Sequence, residues 1–134
     1  MSQKNVETVR RGVEAFVAGN WETWLGGFDA EVVWEETAGL GPDAGTYRGI
    51  EEVRGAVTSW TTMWSDYTFQ VHDYIDAGGD EVVVLAQERG RGRGTGAIVE
   101  RQVGEVFSLR DGKLIRARLY GSWTEALEAA GLRE

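Results

Sequence analysis

The sequence predicts an α+β fold, with helices gathered at the start, long antiparallel strands after them and one closing helix. Three observations predict it. Apolar residues recur at helical spacing up to about residue 64 and at strand spacing from residue 67 onward. The second half is cut by short turns such as Asp111-Gly112, which suit antiparallel hairpins. Helices and strands do not alternate one by one, as a parallel sheet would require.

In the first helix, Val6, Val9, Val13, Phe16 and Val17 form an apolar stripe with Glu7, Arg10, Arg11 and Glu14 between them, ending near Gly19-Asn20. Residues 21–28 read as a second short helix, with Trp21, Trp24, Leu25 and Phe28 on one side. Asp29-Ala30-Glu31 reads as a turn. Val32-Val33-Trp34-Glu35-Glu36 reads as a strand of β-formers. Residues 38–49 are glycine-rich, hold the only proline and read as a loop carrying Tyr47. A third helix over 51–64 places Val53, Val57, Trp60 and Trp64 on its apolar face. Residues 67–71 alternate strictly, 76–80 turn, and 81–87 form a buried strand. The 89–96 run Arg-Gly-Arg-Gly-Arg-Gly-Thr-Gly is expected to be a solvated, mobile hairpin tip. Strands over 97–110 and 113–120 follow, then a helix over 123–130 capped by Gly131. A strongly twisted antiparallel sheet curling around the N-terminal helices, which pack in its concave face, would make a cone-shaped α+β barrel with an open mouth.

Size and composition bound what this fold can do. The chain has 134 residues, enough for one domain over 1–134 with a real core. Its net charge of −8 repels a polyanion, and the three arginines of the Arg-Gly run are too thin a patch to reverse that, so no nucleic-acid partner is expected. Cysteine is absent, which removes disulfides, thiolate metal sites and a cysteine nucleophile; a single histidine, His72, removes any poly-histidine metal centre within one chain. No metal and no cofactor is expected. No apolar stretch approaches the ~20 residues that span a bilayer, and none resembles a signal peptide. The expectation is a cytoplasmic protein with no membrane partner.

Two groups of residues could carry chemistry. Val32, Trp34 and Glu36 share one face of their strand, with Val33 and Glu35 on the other. On the long strand Val103, Glu105, Phe107 and Leu109 share a face that reads as interior. A glutamate within an apolar stripe must be neutralised or paired, because burying a bare carboxylate is costly. Glu105 therefore either lines a cavity as a raised-pKa acid or pairs with an arginine such as Arg101 or Arg118. By alternation His72 points outward, unless a bulge at Asp73-Tyr74 reverses it. The second group is aromatic. Six tryptophans are several times the usual share. They fill a core and an interface, or they line a flat slot for a small hydrophobic ligand. Trp34, Trp60, Trp64 and Phe107 would then be its substrate-binding walls, with Tyr47 at the mouth.

The element order, the phrase Ala18-Gly19-Asn20-Trp21 with Phe28-Asp29-Ala30-Glu31-Val32-Val33-Trp34, the segment 45–53, and Phe107-Ser-Leu-Arg-Asp-Gly-Lys113 with 127–132 resemble the SnoaL-like branch of the nuclear transport factor 2-like and ketosteroid isomerase-like superfamily. The resemblance runs from Val6 to Leu132. It implies a cone enclosing an apolar pocket and a homodimer through the outer sheet face. It also implies a division of labour used by the isomerases: a base on the first strand and a protonated acid on the long strand. Counted onto this sequence, these fall at Glu36 and Glu105 as catalytic residues, with Glu35 replacing Glu36 if the register slips by one. The isomerases' tyrosine on the first helix falls near Gly12, and the cyclases' aspartate falls near Ser122, so this chain has neither. The resemblance thus implies either a cofactor-free isomerase or cyclase moving a proton on a hydrophobic carbonyl substrate, or a non-catalytic ligand-binding or dimeric accessory domain.

Overall fold

The computed structural model describes residues 2–40 and 44–132. The elements are α1 (Ser2–Val17), α2 (Trp21–Gly26), β1 (Phe28–Glu36), a single 3-10 turn (Ala38–Leu40), β2 (Thr46–Arg48), α3 (Gly49–Thr62), β3 (Trp64–Gly78), β4 (Glu81–Gly92), β5 (Ile98–Arg110), β6 (Lys113–Tyr120) and α4 (Trp123–Ala129). The six strands form one curved, unclosed sheet in the order β2-β1-β6-β5-β4-β3. Every pairing is antiparallel except β1 with β6.

The helix boundaries follow from local chemistry. The Asn20 side chain accepts a hydrogen bond from the Thr23 amide at 3.3 Å and starts α2. That helix stops at Gly26, not at residue 28, and Phe28 already opens β1. The expected turn at 29–31 is therefore part of the strand, which is irregular between Phe28 and Val33. The expected 38–49 loop contains the 3-10 turn and β2; its residues 41–43 lie outside the described residues. Ser122 accepts from the Glu125 amide at 3.1 Å and caps α4, and Gly131 follows that helix in the left-handed region at φ +78°. The Arg-Gly run is not a free tip: Arg89–Gly92 belongs to β4 and Arg93 Nε donates to the Thr62 carbonyl at 2.9 Å. An arginine at the C-terminal end of α3 satisfies a carbonyl that the helix leaves open.

Two clusters divide the sheet's faces. On the concave side Val9 and Val13 of α1, Trp24 and Leu25 of α2, and Val53 and Val57 of α3 meet Val32, Trp34, Val84, Phe107 and Leu119 of the strands. On the convex side Ala126 and Leu127 of α4 cover Val83, Leu85 and Val106. This close approach is why residue 104 is glycine. A Cβ there would sit 2.4 Å from the Ala126 Cβ.

Candidate functional site

The concave side is not filled. Between α1, α3 and the strands lies a cavity of about 200 Å³. Its walls are Phe16, Trp24, Trp34, Trp60, Tyr67, Phe69 and Phe107 with smaller apolar groups, and three carboxyl groups face it: Glu36, Glu88 and Glu105.

Strand alternation sets the faces. Glu36 follows Val32 and Trp34 on the inner side of β1, where the Trp34 indole N–H donates to its Oε2 at 3.0 Å. Glu35 points the other way, onto a two-pronged pair with Arg116 at 3.0 and 3.2 Å. The structure thus puts Glu36, and not Glu35, at the cavity. On β5, Arg101, Val103, Glu105 and Phe107 all face inward. Glu105 is 6% exposed. Neither arginine considered as its partner reaches it: Arg101 pairs with Glu88 at 2.8 Å and Arg118 with Glu81 at 3.1 Å. Glu105 makes no hydrogen bond or ion pair with the described residues. Burial above all, then the charges of Glu88 and Glu36, pushes its carboxyl up to about 8, so it holds its proton at neutral pH.

Glu88 solves the same problem differently. It is 7% exposed, and three donors converge on it: Arg101 Nε at 2.8 Å, Trp60 Nε1 at 3.2 Å and the Tyr67 hydroxyl. Arg101 also donates to the Leu40 carbonyl at 2.7 Å and lies over the Trp60 ring, 4.3 Å from its centre. Burial and Glu88 push the Tyr67 phenol far above its usual range, so its hydroxyl remains a donor. Tyr67 reaches inward by plain alternation with Phe69, which pairs with Glu88; the strand is irregular just before it, with Asp66 in the left-handed region at φ 54°.

Of the expected walls, Trp34, Trp60 and Phe107 line the cavity; Trp64 and Tyr47 do not. Trp64 is the first residue of β3 and not the last of α3. Its ring crosses to lie over Gly90, where a Cβ would meet it at 3.0 Å, and packs edge-on to Trp60. Tyr47 sits on the edge strand β2 opposite Trp34 and packs on the rim of the concave core. His72 points outward as alternation implies and stacks on Trp123 at 4.7 Å. The bulge near it falls between Val71 and Asp73 and turns Tyr74 inward. Glu88, Tyr67 and the use of Arg101 were not anticipated. The signal was present, since Val82, Val84 and Glu88 share a strand face and Glu88 lies directly across from Arg101. Among the described residues no group of three or more His, Asp or Glu side chains could hold a metal ion, and no helix is long and apolar enough to cross a membrane.

No curated protein matches the sequence. The SnoaL-like domain family matches residues 9–117. Among solved structures, a nuclear transport factor 2-like protein from Burkholderia thailandensis is similar with a TM-score of 0.80 and 25% identity, covering 96% of this chain and 98% of that one. Bal32a, from a soil-derived mobile gene cassette, is similar with a TM-score of 0.81 and 22% identity over 89% of each chain. TerC, co-crystallised with polyporic acid, is similar with a TM-score of 0.76 and 20% identity over 96% of this chain and 98% of its own. The family match reaches from α1 into β6 and so takes in Glu36, Glu88 and Glu105 with most of their walls; the chain belongs to the SnoaL-like domain family.

Proposed function

We propose that this protein binds a compact hydrophobic carbonyl compound and moves a proton α to the carbonyl, as a cofactor-free isomerase or cyclase. The observation that carries this reading is Glu105, a carboxyl 6% exposed and without a partner among the described residues, facing an aromatic cavity. Protonated at neutral pH, its O–H can donate to the carbonyl oxygen as negative charge builds there. Glu36 is the base: it takes the α-proton, and the resulting enolate is held by the Glu105 hydrogen bond until the proton returns to the same or another carbon. The Trp34 N–H fixes the orientation of the Glu36 carboxylate. Trp34, Trp60 and Phe107 serve as walls for the substrate. The cavity of about 200 Å³ lies below the ~300–1,000 Å³ of drug-sized pockets, so a substrate of one or two rings suits it better than an extended polycycle. A relative of similar fold was co-crystallised with polyporic acid, which agrees with a small-molecule pocket. The proposed assembly is a homodimer through the outer sheet face, measurable by light scattering.

The test is exchange of α-protons for deuterium in one- and two-ring ketones, followed by NMR. The wild type is expected to accelerate exchange, and Glu36→Gln to lose roughly 10²–10⁴-fold of it. Equal exchange with both proteins would overturn the reading.

A further inference from the structure

Among the described residues, one of the acids that line the cavity, Glu105, has no partner. Glu36 comes from β1, Glu88 from β4, and Glu105 and Arg101 from β5. From β3 come Tyr67, whose hydroxyl is given to Glu88, and beside the cavity Tyr74, a phenol held neutral by burial that lies across Val84 from Glu105. Among the described residues, those of helices α1 and α3 that line it are uncharged: Val13, Phe16, Val57 and Trp60. The one cation among the described residues that line it is already committed, since Arg101 binds Glu88 and the Leu40 carbonyl. Glu105 is 6% exposed, lines the hollow and has no partner among the described residues.

The cavity also shows what kind of cation it accepts. Arg101 lies over the Trp60 ring with its guanidinium against a carboxylate, which is a weakly hydrated cation held between an indole face and an acid. Glu105 has the acid and aromatic walls but lacks the cation. A methylated ammonium ion supplies it well. Its charge is spread over a methyl surface, its desolvation cost is low, and ring faces attract it. The net charge of −8 draws cations toward the molecule.

We infer that this cavity is a binding site for a compact quaternary ammonium ion, which takes the place of the proton on Glu105. Atoms and charge balance: the Glu105 O–H bond breaks, its proton passes to solvent, and the carboxylate left behind faces the bound cation. This goes beyond the carbonyl reading. There Glu105 keeps its proton and donates; here it gives the proton up. The two ligand classes exclude one another and are sorted by one proton.

Calorimetric titration with choline tests this, with 3,3-dimethylbutan-1-ol as the carbon analogue of the same shape and no charge. With the Glu105 carboxyl at about 8, apparent choline affinity is expected to rise about 50-fold between pH 6 and 8 and to level off above 9. At pH 7 about 0.9 proton should leave per choline bound, read from buffers of different ionisation enthalpy. Glu105→Gln, close in shape to the protonated acid, should lose both the slope and the proton release while its melting stays cooperative. The wild-type proton count needs no variant at all. Choline and the alcohol binding alike, choline binding with neither pH slope nor proton release, or no saturable choline binding at millimolar concentration would each overturn the inference. Those outcomes leave the ketone-exchange assay untouched, and a failed exchange assay leaves the choline result untouched.

Discussion

Replacing Glu105 by glutamine should stabilise the protein, and by an amount that depends on pH. An ordinary carboxyl titrates near 4.5, whereas in the folded protein this one is pushed to about 8 by burial and by Glu88 and Glu36. Between those pH values the folded state binds the proton and the unfolded state does not. Unfolding then releases a proton, so stability falls as pH rises through this window. At ~1.4 kcal/mol per pH unit the whole window is worth about 5 kcal/mol, of which about 3 kcal/mol is already lost at pH 7. Glutamine mimics the protonated form and carries no such cost. Wild type and Glu105→Gln should therefore unfold alike near pH 4 and diverge steadily above it. By pH 9 the variant should be ahead by about 5 kcal/mol, a urea midpoint higher by roughly 2 M. Parallel urea titrations from pH 4 to 9 measure this. A difference between the two proteins that stays flat with pH would refute the claim that Glu105 is buried without a partner.

Other substitutions separate the parts of the site. Arg101→Met strands Glu88 in the interior and should cost about 3 kcal/mol in urea unfolding, while Glu88→Gln should cost less because the Arg101 charge it leaves behind is more exposed and keeps the Leu40 carbonyl and the Trp60 ring. Glu35→Gln breaks only the outward pair with Arg116 and should change stability by less than ~1 kcal/mol, with ketone exchange unchanged; Glu36→Gln should do the reverse. Trp64 buries an indole N–H with no acceptor among the described residues, so Trp64→Phe should be neutral or stabilising in a thermal melt. Gly104→Ala forces a methyl onto Ala126 and should cost about 1–3 kcal/mol, with Trp123 fluorescence reporting the displacement of α4.

Much of this arrangement was legible in the residue pattern. Period-2 spacing alone puts Val103, Glu105 and Phe107 on one side of a strand, and a lone acid in such a stripe announces itself. The same spacing puts Glu36 with Val32 and Trp34. What the pattern could not carry was partnership across strands. Glu88 looked like the end of a strand, and only the β4–β5 register sets it opposite Arg101. Tyr67 shares a face with Phe69 by alternation, but only the β3–β4 register brings its hydroxyl to Glu88. Trp64 was misplaced because helical spacing from Trp60 continues through it, and the helix ends two residues earlier than that spacing suggests. Short elements failed for a similar reason. The β2 strand of three residues and the irregular start of β1 are held by their neighbours, not by their own preferences.

The parallel seam between β1 and β6 has a consequence for how the molecule comes into being. The strand that bears Glu36 and the strand that bears Glu105 are not neighbours; β6, nearly eighty residues downstream of β1, is the wedge that joins them. A growing chain emerging from the ribosome can shape the β3–β4–β5 meander early, yet its two proposed catalytic acids stay strangers until residues 113–120 arrive and slide between them. Completion of the sheet and birth of the hollow are one event, and a slow one for so small a protein, since it closes a long loop before any contact repays it.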